Sequence, residues 1–191
     1  MDYFRKLASL FLKIEVNDNN AKTITLNKSV LKTVKLILAL AKKGNKIILI
    51  GNGGSASIAS HIAIDFLKNA KIPALVFNDA SLLTCISNDL GYEYVFQKPI
   101  ELLAKKGDIL FAISSSGSSK NILNAAKEAK KRGCFLITLS GFSKENPLRR
   151  LGHLNFYIPA ASYGYVEITH LVICHCIVDT IIENRKLNGQ I

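Results

Sequence analysis

Five short apolar runs constrain the fold of this chain more than any other feature of its sequence. They occupy residues 46–50, 73–77, 108–113, 134–139 and 154–158. Uninterrupted apolar strands are typical of parallel sheets, whose two faces are both covered by helices. Helical patterns separate and flank these runs, at residues 26–43, 55–69, about 94–105, 119–132 and 163–183. This alternation predicts an open α/β fold with a five-stranded parallel sheet and flanking N- and C-terminal helices.

The size and composition of the chain indicate a single folded domain. Its 191 residues are 49% hydrophobic, which suits one buried core and excludes disorder. We expect one domain over residues 1–191, with a helical N-terminal segment at 1–44 and the α/β core and C-terminal helix at 45–191. The helices carry more apolar surface than five strands can cover, which indicates oligomerisation through helices.

The charge balance is strongly basic. Lys and Arg number 25 against 14 Asp and Glu, so the formal net charge is +11. Such an excess suits a nucleic-acid partner, an anionic substrate or a solvated surface. The basic pairs lie near predicted helix ends, where they complement the helix dipole, and no aromatic residues interleave with them. Nucleic-acid binding therefore ranks last among the functions considered, and the charge is better explained by surface solubility with some steering of an anionic substrate.

The sequence favours a cytoplasmic location. Arg5, Lys6 and Lys13 interrupt the apolar N-terminus, which argues against a secretory signal. No run reaches the ~18 uncharged residues that a membrane span needs. Four cysteines without a CxxC pair indicate buried thiols in a reducing compartment.

Two loops rich in glycine and serine follow predicted strands and open the next helices. The first is Gly51–Ser55, which contains Asn52, Gly53 and Gly54, and the second runs from Ser114 to Ser119. Both lie at the carboxyl ends of parallel strands, where open α/β sheets bind ligands, and both expose backbone N–H groups at a helix N-terminus. A turn or a helix cap needs only one serine, so the serine-rich loop predicts a phosphate site. Neither loop is a GxGxxG or P-loop motif, which favours a sugar phosphate over a nucleotide.

Candidate acid–base and metal-binding residues lie on two helices. His61 and Asp65 are four residues apart and share one helix face, and Glu167 and His175 are eight apart, or ~12 Å along the axis. A histidine and a carboxylate at such spacing can bind a metal or exchange protons, although spacing alone favours a structural pair. His170 is interpreted as a polar residue on an oligomer-facing stripe. Asn88 and Asp89 follow an apolar stretch and either cap a turn or bind sugar hydroxyls.

These blocks occur in the order of a sugar isomerase (SIS) domain, and the chain most resembles the phosphoheptose isomerases from about residue 27 to 183. The resemblance implies a homotetramer of flavodoxin-like subunits with active sites at subunit interfaces, in which zinc assists the isomerisation of sedoheptulose 7-phosphate. It also implies heptose biosynthesis for lipopolysaccharide or capsule, although the pathway itself is not encoded in the motifs. Its implied substrate-binding residues are Asn52, Gly53, Gly54, Ser55, Asn88, Asp89, Ser114, Ser115, Ser116 and Ser119. Its implied metal ligands are His61, Asp65, Glu167 and His175, and Asp65 or Glu167 would act as base with His175 as its partner.

Two of these positions depart from the family pattern. The family usually has Glu where this chain has Asp65, and Gln where it has Glu167. The shorter Asp65 draws its carboxylate back by ~1.5 Å, whereas Glu167 adds a charge that could take over as ligand or base. Two alternatives stay open. Isomerisation of another sugar phosphate is one, because the phosphate loop is common to such enzymes. The other is a non-catalytic scaffold or sugar-phosphate sensor like the initiator-associating SIS proteins, which the exchange at Asp65 keeps open although His175 is present.

Overall fold

A computed structural model describes residues 2–189, and their backbone forms one seven-stranded sheet. The strands in chain order are β1 (Glu15–Asp18), β2 (Thr23–Ile24), β3 (Ile47–Ile50), β4 (Ala74–Val76), β5 (Ile109–Ser114), β6 (Phe135–Ser140) and β7 (Leu154–Tyr157). Their order across the sheet is β2-β1-β7-β6-β5-β3-β4. The five strands from β3 to β7 are parallel, which confirms the predicted α/β class and the five predicted strands.

The predicted strand count is too low by two, because β1 and β2 extend the sheet at its β7 edge in antiparallel fashion. The segment 1–44 is therefore not purely helical. β1 has the sequence Glu-Val-Asn-Asp, and only Val16 in it is buried. A short edge strand with one buried side chain lacks the continuous apolar pattern that identifies the central strands.

Seven α-helices accompany the sheet in the described part of the chain. They are α1 (Tyr3–Phe11), α2 (Leu26–Ala41), α3 (Gly54–Ile64), α4 (Ala80–Asp89), α5 (Gln97–Leu103), α6 (Lys120–Lys131) and α7 (Tyr163–Leu187). A π-helical turn, Asp65–Asn69, continues α3. The buried side chains of α2, α3 and α7 form one core with the sheet, and those of α5 and α6 form a second core that includes alternate residues of the same strands. The sheet is therefore covered on both faces, as its apolar strands predict.

Helix α7 is long and apolar enough, by length and composition alone, to cross a membrane. In this fold it packs against α2 and α3 and buries eight residues, among them Val166, Ile173 and Ile177. A core helix passes the same test as a membrane span, and α7 has the packing of a core helix. Its position also brings Glu167 beside the start of α3 and His175 beside the end of α3.

A buried carboxylate anchors the opposite, amino-terminal edge of the parallel strands. Asp108 is fully buried and accepts hydrogen bonds from the backbone and ammonium of Lys46, the backbone of Lys105 and the side chain of Asn45. Burial raises the pKa of this carboxyl, but the donors outweigh it and hold the pKa below its usual range. These contacts join the starts of β3 and β5 far from the glycine–serine loops.

Candidate active site

The first glycine–serine loop turns directly from β3 into α3. Gly53 has a φ of +52°, which favours glycine, and α3 begins at Gly54. The Glu167 carboxylate from α7 packs against the Cα of Gly54, so closely that a Cβ there would collide with it. Gly54 thus serves the close approach of α7, and the loop and α7 together form one wall of the site.

The serine-rich loop completes a small polar cavity of about 100 Å³. Its lining residues are Asn52, Ser55, Ser114, Ser115, Ser116, Ser119, Tyr163 and Glu167. The Ser115 hydroxyl is buried without a hydrogen-bond partner, and Ser119 at the N-cap of α6 makes no side-chain capping bond. A buried hydroxyl normally finds a partner, so Ser115 leaves a donor available for an anion of phosphate size, and the half-buried Ser119 hydroxyl can supply another.

The structure therefore gathers six of the ten predicted substrate-binding residues around one cavity. Gly53 lines a neighbouring cavity of about 390 Å³ instead, together with Asn78 and Tyr92. Asn88 and Asp89 lie at the exposed C-terminal end of α4, where the Asn88 amide donates to the Asp89 carboxylate. They line neither of these two cavities.

A second cluster joins three of the four predicted metal ligands. Asp65 Oδ2 lies 3.4 Å from His61 Nε2 and 3.6 Å from His175 Nδ1, and the three ligand atoms lie within 4.8 Å of one another. Asn69 Nδ2 donates to Asp65 Oδ1 at 2.9 Å, which turns the other oxygen toward the two imidazoles. Two imidazoles and one carboxylate form a donor set that suits zinc, and three protein ligands are typical of catalytic zinc sites that keep one position open.

Glu167 does not join this cluster. The structure places its carboxylate at Gly54 and in the serine-lined cavity, whereas His175 lies eight residues further along α7. The rise of a helix separates the Cα atoms of such residues by ~12 Å along its axis, and the cluster of ligand atoms within 4.8 Å of one another does not include Glu167. Of the four ligands expected from the sequence, the described chain brings the ligand atoms of His61, Asp65 and His175 together.

The interpretation of His170 as an oligomer-facing residue is wrong. His170 is fully buried against the sheet, and its Nε2 lies 3.3 Å from the carbonyl oxygen of Ser140 at the end of β6. Burial lowers its pKa from 6.5 to about 4, so the imidazole is neutral near neutral pH. The neighbouring Gly141 N–H donates to the Ser115 carbonyl, and His170 therefore supports the end of β6 beside the serine-rich loop.

Two residues that the sequence did not single out also contribute to this region. Tyr163 lines the serine-lined cavity and lies four residues before Glu167, so it shares that face of α7. Asn121, in the first turn of α6, exchanges two hydrogen bonds with Asn52. Spacing from Glu167 could have identified Tyr163, but no local pattern marks Asn121, since its partner is 69 residues away.

A family model described as the SIS domain matches residues 3–141 of the chain. The match spans more than half of the sequence and includes both glycine–serine loops, so the fold and the site define a protein of the SIS-domain class. Among solved structures, the phosphoheptose isomerase of Neisseria gonorrhoeae is 27% identical, with a TM-score of 0.80 and coverage of 94% of this chain and 95% of that one. That of Francisella tularensis is 25% identical, with a TM-score of 0.82 and coverage of 95% of each chain.

Curated relatives narrow the class further. The phosphoheptose isomerase of Helicobacter hepaticus is 37% identical over 175 residues, which cover 88% of this chain and 89% of that protein. The phosphoheptose isomerase of Nitratiruptor is 40% identical over 149 residues, 75% of this chain and 79% of the relative. The chain belongs to the phosphoheptose isomerase family, as the resemblance of its motifs predicted.

Proposed function

We propose that this enzyme interconverts sedoheptulose 7-phosphate and D-glycero-D-manno-heptose 7-phosphate through an enediol. Membership of a family of aldose–ketose isomerases supports the reaction class. One structural observation carries the proposal. The same two helices, α3 and α7, connect the serine-lined cavity to the cluster of His61, Asp65 and His175, called the His–Asp cluster below. Helix α3 begins beside the cavity and ends at His61 and Asp65, and α7 runs from Glu167 in the cavity to His175 in the cluster.

The separation of the two sites fits a seven-carbon sugar phosphate. Ser55 and His61 are six residues apart on α3, or ~9 Å, and Glu167 and His175 are ~12 Å apart on α7. Seven bonds join C2 of a heptulose to the phosphorus of its 7-phosphate, and at ~1.3 Å of extension per bond they span ~9 Å. A phosphate in the serine-lined cavity therefore places the C1–C2 carbons near the His–Asp cluster.

The residues of the cluster can perform the proton transfers. Asp65 is the base that removes the proton from the carbon next to the carbonyl, and His175 moves protons between the two substrate oxygens. Glu167 is assigned to the phosphate end and not to this step, because its carboxylate lies at Gly54. Binding of the remote phosphate aligns the reacting carbons, so its binding energy lowers the barrier of the chemical step.

The donor set of His61 Nε2, Asp65 Oδ2 and His175 Nδ1 fits zinc, and we propose that these residues hold it. A bound zinc ion would supply Lewis-acid polarisation of the substrate oxygens. Asp65 Oδ1 and the Nε2–H of His175 would stay outside that donor set, so the carboxylate keeps an oxygen that can accept a proton and the imidazole keeps an N–H that can donate to a substrate oxygen. The Asn69 amide donates to Asp65 Oδ1 and keeps this oxygen oriented.

We also propose that the protein is a cytoplasmic homotetramer with active sites at subunit interfaces. Exposed apolar side chains beside the site support an assembly: Ile64 and Leu67 are 57% and 52% exposed, and Ile168 and Val172 on α7 are 38% and 42% exposed. A partner covering them would also bring further residues to Asn88 and Asp89 or to the open cavity. Light scattering coupled to gel filtration tests the assembly, and a monomer at micromolar concentration would contradict it.

The direct test is turnover of sedoheptulose 7-phosphate, followed as aldose product, together with metal analysis of the purified protein. We expect turnover, zinc bound at about one ion per chain, and weaker activity on shorter ketose phosphates, whose carbonyls fall short of the cluster. Turnover of a different sugar phosphate alone would reassign the substrate. Binding without turnover of any sugar phosphate would instead indicate the second candidate, a sugar-phosphate sensor.

A further inference from the structure

The two glycine–serine loops are tied together by a pair of amides, of which Asn121 is buried and Asn52 is half-buried. Asn52 follows β3 and Asn121 lies in the first turn of α6, which follows β5, and these two strands are neighbours in the sheet. Asn52 Nδ2 donates to Asn121 Oδ1 at 3.0 Å, and Asn121 Nδ2 donates to Asn52 Oδ1 at 2.8 Å. Asn121 is only 2% exposed and Asn52 is half-buried, so this reciprocal contact is partly shielded from water.

Tyr92 fixes the orientation of the Asn52 amide. The Tyr92 hydroxyl donates to Asn52 Oδ1 at 3.0 Å, so that oxygen accepts from two donors and both of its lone pairs are occupied. One of the two Nδ2 hydrogens of Asn52 is used in the pair. The side chain of Asn52 therefore keeps a single N–H for a ligand and no acceptor.

We propose that Asn121 is a positioning residue that holds Asn52 as a one-donor contact to the substrate and keeps the two loops in register. This proposal rests on the proposed function, because it assigns a role within the same site. Asn121 itself does not line the serine-lined cavity, whereas Asn52 does. Asn121 lines a neighbouring cavity together with Asn52 and Ser119, and its contact with the serine-lined cavity runs through Asn52. Asn52 can recognise an acceptor oxygen of a phosphate or sugar but not a hydroxyl hydrogen.

The test is a double-mutant cycle with Asn52→Ala, Asn121→Ala and the double variant, and its first readout is the affinity for inorganic phosphate. We expect each single variant to weaken binding roughly tenfold, as loss of one hydrogen bond to a charged ligand does. The double variant should bind no worse than Asn52→Ala. Asn124→Ala is the matched control, since Asn124 lies on the same helix and hydrogen-bonds the Glu93 carbonyl away from the cavity.

The second readout is the steady-state kinetics on sedoheptulose 7-phosphate, where Asn121→Ala should raise KM more than it lowers kcat. Neither Asn121→Ala nor Asn121→Asp can donate to Asn52 Oδ1. Asn121→Asp should weaken phosphate binding more than Asn121→Ala does, because its carboxylate also adds a negative charge close to the anion. Wild-type phosphate affinity in Asn121→Ala, or additive losses in the double variant, would overturn the proposal. Phosphate affinity is measurable without turnover, so an inactive wild-type enzyme would overturn the proposed function and leave this cycle interpretable.

Discussion

Replacing Glu167 with glutamine removes a negative charge from the cavity that is proposed to bind phosphate. The Glu167 carboxylate lines this cavity among serine residues and packs against Gly54. A carboxylate beside a phosphate is repulsive, and the glutamine variant keeps the size and the hydrogen-bonding shape of the side chain. We expect Glu167→Gln to bind phosphate and sugar phosphates more tightly than the wild-type protein.

The size of the effect follows from the size of the cavity. A sphere of 100 Å³ has a radius of ~3 Å, so a phosphate at its centre lies ~6 Å from a carboxylate in its wall. Coulomb repulsion at that distance is about 0.7 kcal/mol per unit charge in water and about 2.8 kcal/mol at an effective dielectric constant of 20. Glu167 is half-buried, so we expect a gain between these limits, about 1–2 kcal/mol, or roughly 5- to 30-fold in affinity.

Isothermal titration with inorganic phosphate at low and at moderate salt measures this gain, which should shrink as salt screens the charge. Glu183→Gln is the matched control, because it removes the same charge from the same helix at an exposed position ~24 Å further along. Glu183→Gln should leave the affinity unchanged. Unchanged or weaker phosphate binding by Glu167→Gln would refute the placement of Glu167 beside the phosphate.

Three further substitutions test the packing of the fold. Gly54→Ala should displace the Glu167 carboxylate and change phosphate affinity with little loss of thermal stability, because only the end of a flexible side chain has to move. In a Glu167→Ala background the same substitution should leave phosphate affinity unchanged, and an equal effect in both backgrounds would contradict this contact. Asp108→Asn should lower the free energy of unfolding in urea by about 3 kcal/mol, because it breaks a buried ion pair. Glu145→Gln, the control at an exposed ion pair, should lower it by under about 1 kcal/mol, and equal losses in the two variants would contradict the role of the buried carboxylate. Burial lowers the pKa of His170 to about 4, so between pH 6.5 and 4 the unfolded chain takes up a proton that the folded chain excludes. The free energy of unfolding should therefore fall by up to about 3 kcal/mol as the pH drops from 6.5 toward 4. His170→Gln should flatten that fall, and an unchanged pH profile would contradict the assignment.

The central sheet and the serine-rich loop could be predicted because their signals are local. The strands β3 to β7 are continuous apolar runs, and each glycine–serine loop directly follows one of them. By contrast, β1 buries a single residue, Val16, and α4 has only an interrupted apolar pattern and an Asp79 cap. Such elements are stabilised by the rest of the fold, so their own sequence carries little sign of them.

The site was predictable where helix periodicity decides the geometry. The i, i+4 spacing of His61 and Asp65 predicted a shared face, and the structure adds His175 to it from another helix. The position of Glu167 depends on how α7 crosses the first loop, and spacing along one helix does not encode a crossing. The same holds for Asn121, whose role depends on a partner on the neighbouring strand's loop.

The central claim is that the site binds phosphate at one end and transfers protons at the other. A comparison of the wild-type protein with His175→Ala tests it most directly. Phosphate affinity and turnover of sedoheptulose 7-phosphate are measured on the same zinc-loaded preparations. We predict that His175→Ala retains wild-type phosphate affinity and loses turnover by at least about a hundredfold, as removal of an acid–base group does. Turnover retained by His175→Ala, or phosphate affinity lost together with turnover in a folded variant, would contradict this division of the site.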